Sequence, residues 1–150
     1  MNLESFTSIT ASVATAIGVG IAAWQIRESR KLSSASFEDS FDQQYRELTY
    51  KIPVDALLGK DLGEAKEAEA REAAYNYLDL CNEQVYQRSK KRVSSERWRE
   101  WALGIEHNLS RPFFRQVWEE VKQSSPGLFS FLEKLEKHEF KVDPVKFKNA

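Results

Sequence analysis

An uncharged stretch near the N-terminus is the feature that most constrains the fold of this chain. Residues 5–26 form 22 consecutive positions without Asp, Glu, Lys or Arg. As an α-helix, this stretch would be about 33 Å long, enough to cross a bilayer core of about 30 Å. The rest of the chain is polar and charged. The stretch therefore predicts one transmembrane helix over residues 5–26.

The charges on either side of this stretch predict its orientation. Glu4 precedes it, whereas Arg27, Arg30 and Lys31 follow it closely. Basic residues stay on the cytosolic side of a span, so we expect the N-terminus outside and the remainder in the cytosol. A cleavable signal peptide would need a basic leading segment, which Met1–Glu4 lacks. A buried soluble helix stays open as an alternative, because the stretch is rich in Ala, Ser and Thr.

Small and hydroxyl-bearing residues recur along the predicted span at helical spacing. Small side chains let two helix backbones approach each other, and hydroxyls in a membrane favour a partner helix or a water-filled lumen over lipid tails. This pattern predicts self-association of the span, with a lone anchor as the alternative. The residues expected at the contact are Ser8, Ser12, Thr15, Ala16 and Gly20.

Apolar residues at helical spacing predict an all-α domain after the span. We expect a juxtamembrane linker over residues 27–36, a helical cytosolic domain of about five helices over 37–136, and a flexible tail over 137–150. A long helix should begin at Glu64 and end near Lys91. One apolar face of that helix is predicted from Ala70, Ala74, Tyr77, Cys81 and Val85, with Cys81 as a core residue.

A basic segment, residues 88–99, links this helix to the next and holds six basic residues and one acidic residue. Ser94 or Ser95 is the expected N-cap of the following helix. Free amides at a helix start, surrounded by cations, predict an anion site. A solvated turn that complements the preceding helix dipole is the alternative. The candidate ligand-binding residues are Arg88, Lys90, Lys91, Arg92, Ser94, Ser95, Arg97 and Trp98, with Arg111 and Arg115 next in line.

The sequence offers little sign of catalysis. It contains no glycine-rich phosphate loop, no C-x-x-C or H-E-x-x-H motif and no nucleophile elbow. We therefore expect no enzyme activity, no metal and no cofactor. The formal net charge of −1 gives no general attraction to duplex nucleic acid.

The order of motifs resembles a known kind of protein. A weak span with Trp-Gln-Ile and basic residues comes first, then Trp98 and Trp101, the run 109–114 and the segment 129–131. Over about residues 5–135 this layout resembles small single-span bacterial membrane proteins of unknown function. Size, topology and helix content also resemble the membrane effector of type III CRISPR systems, which implies an inner-membrane protein that binds cyclic tetra-adenylate as a homotetramer.

Two functions are therefore expected to compete. The first is a membrane-anchored antiphage effector that senses a cyclic oligoadenylate and perturbs the membrane through its assembled spans. The second is a membrane-tethered protein-interaction module without a small ligand.

Overall fold

The computed structural model describes the backbone of residues 3–147 and the side chains of residues 15–147. Within these limits the chain is all-helical, as predicted, and no strand is present. The chain divides into two compact units, Met1–Ser36 and Phe37–Ala150. The helices are α1 (Leu3–Thr49), α2 (Val54–Leu57), α3 (Glu64–Ser89), α4 (Ser95–Ser110), α5 (Pro112–Ser124) and α6 (Ser130–Lys137), followed by a 3₁₀ turn (Pro144–Lys146).

The described part of the first unit lies in α1, which is helical throughout residues 27–36, the predicted juxtamembrane linker. Thr15, Ala16 and Gly20 are exposed, whereas the side chains of Ser8 and Ser12 lie outside the described residues. Among the described residues, no helix combines the length and the apolar character needed to cross a membrane. The side chains of residues 5–14, part of the predicted span, lie outside that set.

Helix α3 is central to the second unit. It packs against α5, α6 and the 3₁₀ turn, while α4 packs against α5. Its predicted apolar face is confirmed, since each of the five residues at spacings 4, 3, 4 and 4 is buried. Cys81 is a core residue, and burial raises the pKa of its thiol to about 12, although a hydrogen bond with Tyr77 acts in the opposite direction. A thiol held so firmly protonated is a poor nucleophile.

Local signals explain the helix boundaries of the second unit. Ser94 precedes α4, and its side chain accepts a hydrogen bond from the backbone N–H of Arg97, as expected of an N-cap. Pro112 occupies the first turn of α5, where its missing N–H costs nothing. Trp98 and Trp101 lie on the buried side of α4, as their spacing predicts.

The segment after α6 packs more closely than its polar composition predicts. Asp143 caps the 3₁₀ turn by accepting a hydrogen bond from the backbone N–H of Val145, and Pro144 is buried. Where we expected a flexible tail, the structure docks residues 143–146 against α3, because a carboxylate of this segment binds a buried arginine of that helix.

Candidate functional site

The basic segment 88–99 begins with a tight helix end. Lys91 adopts a left-handed backbone conformation with φ of 60°. The backbone N–H of Arg92 donates to the carbonyl of Gln87, and that of Lys91 donates to the carbonyl of Arg88. These two bonds form a Schellman motif, in which glycine is the usual residue at the left-handed position. The sequence places lysine there instead.

Replacing Lys91 by glycine is expected to raise the free energy of unfolding by about 1 kcal/mol, since the left-handed conformation costs a non-glycine residue about that much. Lys90→Gly provides a matched control, because Lys90 has an ordinary backbone with φ of −88°. That change should lower stability by about 0.5–1 kcal/mol. Urea unfolding followed by circular dichroism measures both, and a loss of stability in Lys91→Gly would contradict the expectation.

Arg88 is an internal structural residue of the segment. Its side chain is 9% exposed, and its guanidinium binds both carboxylate oxygens of Asp143, at 2.9 and 2.5 Å. The same guanidinium donates to the carbonyl of Val93 at 2.7 Å and to Oγ of Ser95 at 2.9 Å. The guanidinium of Arg88 and the hydroxyl of Ser95 are therefore engaged in contacts within the protein.

The start of α4 already holds an anion supplied by the chain. Glu38 accepts a hydrogen bond from the backbone N–H of Ser94 at 2.6 Å. Arg97 lies beside it and pairs with Glu38, Asp42 and Glu100 at 3.9, 3.4 and 2.7 Å. A helix N-terminus favours negative charge, and here Glu38 meets that preference.

The remaining cations of the segment face solvent. Lys90, Lys91, Arg92 and Arg99 are exposed. Lys90 lies 5.4 Å from the centre of the Tyr86 ring, and Arg92 donates to the side chain of Gln87 at 3.0 Å. Trp98 is buried, with 4% of its surface exposed. Of the eight predicted ligand-binding residues, the structure thus commits Arg88, Ser94, Ser95, Arg97 and Trp98 to internal contacts, and the binding assignment itself stays a prediction.

A second candidate site lies in a groove between α1, α3 and α4, which we call the central groove. It encloses about 320 Å³, near the lower limit of about 300 Å³ for small-molecule sites. All of its lining belongs to the second unit. The residues are Asp42, Tyr45, Arg46, Tyr77, Gln84, Arg97, Glu100, Trp101, Gly104 and Ile105.

The groove combines aromatic walls with fixed polar groups. The rings of Tyr45 and Tyr77 are 6.0 Å apart at an angle of 58°. Trp101 donates its indole N–H to Asp42 at 2.9 Å. Burial raises the pKa of Tyr77 well above its ordinary value, and interactions with Cys81 act in the same direction, so its hydroxyl stays protonated. That hydroxyl accepts a hydrogen bond from Asn108 at 3.0 Å. The walls therefore carry defined hydrogen-bonding groups.

Sequence reasoning missed this groove, although two signals pointed to it. Gln84 interrupts the apolar face of α3, three residues after Cys81. Gly104 lies inside α4, between two buried residues, Trp101 and Ile105. A polar residue on a buried face and a glycine inside a helix both cost stability, so each calls for a packing or functional reason.

Among the described residues, no three His, Cys, Asp or Glu side chains come close enough together to hold a metal ion.

No protein-family model, no curated protein and no solved structure matches the chain.

Proposed function

We propose that this chain is a membrane-anchored sensor whose helical unit binds a small molecule in the central groove. One observation carries the proposal: helix α1 supplies Asp42, Tyr45 and Arg46 to the groove wall and also contains the uncharged stretch at residues 5–26. A ligand in the groove would bind directly to the helix that holds the anchor. Binding energy that differs between two conformations of a helix shifts their populations.

The sequence supports the anchor part of this proposal. The uncharged stretch is long enough to span a bilayer as a helix, and Arg27, Arg30 and Lys31 follow it on the proposed cytosolic side. The small residues along it would favour a homo-oligomer, with a tetramer as the working assumption. The proposed location is a bacterial inner membrane with the N-terminus outside.

The resemblance described above supports a cyclic oligoadenylate as the ligand and an antiphage effector as the biological role. In that form of the proposal, binding rearranges the assembled spans and opens or disrupts the membrane. The exposed cations Lys90, Lys91, Arg92 and Arg99 do not line the groove, so they would contact only phosphates that extend beyond it. Their contacts would weaken with rising salt because exposed charges are screened.

A membrane-tethered interaction module is the second candidate. It is favoured by the pairing of Arg88 and Arg97 with the chain's own carboxylates, which removes two cations from a phosphate site. Such a module would stay in the membrane and give no response to a small ligand.

The test reconstitutes the full chain in liposomes loaded with a self-quenched dye. Cyclic tetra-adenylate should release the dye, and the protein should remain in the membrane after a carbonate wash. A control variant with Ile17→Lys and Ile21→Lys should fail to insert, since each charge at the bilayer centre costs about 2.5–3.5 kcal/mol.

Two results would count against the proposal in different ways. Release of the wild-type chain by the carbonate wash would refute the anchor. Retention in the membrane without dye release would refute the cyclic tetra-adenylate-gated effector and support the interaction module.

A further inference from the structure

The central groove contains a buried amide without a partner. Gln84 is 3% exposed and lines the groove. Within the described part of the chain, its side-chain amide forms no hydrogen bond. Every fully enclosed polar side-chain atom in that part has a partner, so the amide of Gln84 is not fully enclosed. The amide therefore opens onto the groove. Buried amides are almost always hydrogen-bonded, because an unmade bond is costly. Water or a ligand in the groove would supply the missing partner.

The surroundings of Gln84 suit a flat ring. Tyr45 contributes exposed aromatic surface to the groove, and the buried rings of Tyr77 and Trp101 lie in its wall. Aromatic side chains bind planar heterocycles by stacking. The amide of a glutamine presents one donor and one acceptor side by side, and it pairs with a heterocycle edge that carries an amino group beside a ring nitrogen.

Gly104 keeps space for such a ring. A Cβ atom built at this position would meet no heavy atom within 4 Å, so it would project into open space. Glycine inside a helix lowers helix stability relative to alanine. Packing does not require glycine here, whereas an occupant of the groove would benefit from the missing side chain.

The charges of the groove leave one cation without a partner. Asp42 and Glu100 both pair with Arg97. The guanidinium of Arg46 forms no ion pair or hydrogen bond with any described residue, and it is exposed at the groove. Arginine binds phosphate and carboxylate groups through two parallel hydrogen bonds. An anionic substituent on the ligand would bind here.

We infer that the central groove binds a purine mononucleotide unit, with the base edge on Gln84, the ring against the aromatic walls and the phosphate at Arg46. The inference deepens the proposed function by naming the ligand class of the same groove. The unit belongs either to a free nucleotide or to an oligonucleotide, and the chemistry of recognition is the same for both.

The experiment is isothermal titration calorimetry of the full chain in a mild detergent. The probes are adenosine 5′-monophosphate, adenosine, inorganic phosphate and cyclic tetra-adenylate. Adenosine 5′-monophosphate should bind more tightly than adenosine, and inorganic phosphate should not bind measurably. Comparison of the monophosphate with the cyclic tetranucleotide distinguishes the free nucleotide from the oligonucleotide.

Three variants test the assigned roles. Gln84→Leu should weaken binding of adenosine and its monophosphate about tenfold or more, since a two-point base contact is lost. Its melting temperature should not fall, because the amide has no partner in the protein. Arg46→Met should remove only the advantage of the monophosphate over adenosine. Gly104→Ala should weaken the binding of both adenosine and its monophosphate without lowering the melting temperature. If Gln84→Leu proves unstable, Gly104→Ala alone tests whether these ligands bind in the groove.

Gln116→Leu and Lys66→Met are the matched controls, since both residues are exposed and lie outside the groove. They should leave binding of the monophosphate unchanged. Absence of binding by all adenine probes would overturn the inference, as would unchanged binding in both Gln84→Leu and Gly104→Ala. Because no bilayer is involved, Gln84-dependent binding without dye release from liposomes would refute the effector and leave the nucleotide site standing.

Discussion

Replacing Trp118 by alanine is expected to lower the free energy of unfolding by about 3–5 kcal/mol, the usual cost of deleting a buried aromatic side chain. Trp118 is fully buried, and its ring stacks on Phe129 with centroids 6.4 Å apart. Its indole N–H donates to Glu136 at 2.9 Å. Alanine would remove the packing, leave a cavity and leave that carboxylate without one donor. Urea unfolding followed by circular dichroism measures the change.

Leu103→Ala is the control for this prediction, because Leu103 is 67% exposed on α4. Its stability should stay within about 0.5 kcal/mol of the wild type. If Trp118→Ala cost less than about 1 kcal/mol, the core around α3, α5 and α6 would not be packed as described.

Replacing Asp143 by alanine is expected to cost about 3 kcal/mol, because it leaves the guanidinium of Arg88 buried without its counter-charge. The estimate is at the low end for such pairs, since the Asp143 side chain is 32% exposed. Asp79→Ala is the matched control, as Asp79 is exposed on α3. It should change stability by less than about 0.5 kcal/mol.

The same pair predicts a pH dependence. Burial by itself would raise the pKa of Asp143, but hydrogen bonds from Arg88 and Val145 and the charges of Arg88 and Lys146 bring it below the ordinary value. Since the folded pKa is lower than the unfolded value of about 3.9, the carboxylate stabilises the fold above that pH. This contribution is lost as the pH falls below about 4 towards the folded pKa.

Asp143→Asn separates this effect from general acid unfolding. The variant should be less stable than the wild type at pH 7, and the difference should shrink as the pH falls from 5 to about 2–3. A difference that stays constant over that range would contradict the assigned role of the carboxylate. Melting temperatures measured across the series provide the comparison.

The ion pairs of Arg88 and Arg97 change how the basic segment is understood. Its charge density alone predicted an anion site that included Arg88 and Arg97. The structure pairs both with carboxylates, so substitutions at Arg88 test folding as much as binding. Lys91→Gly removes a cation while favouring the fold, which makes it the cleaner probe of a phosphate contact in this segment.

The sequence by itself determined the all-α class, the buried face of α3 and an N-cap at Ser94 or Ser95. These features depend on residues three or four positions apart, and helical periodicity and capping chemistry relate such neighbours directly. It also indicated that the segment between α3 and α4 is rich in cations, because composition needs no knowledge of contacts.

Only the tertiary structure decided which of those cations are paired and where the central groove lies. Asp143 meets Arg88 from 55 residues away, and Glu38 meets the start of α4 from 56 residues away. No local pattern relates such distant residues, since ion pairing depends on which surfaces pack together. The groove arises in the same way, because α1, α3 and α4 each supply part of its wall. Gln84 and Gly104 belong to different helices, and packing alone brought them to one cavity.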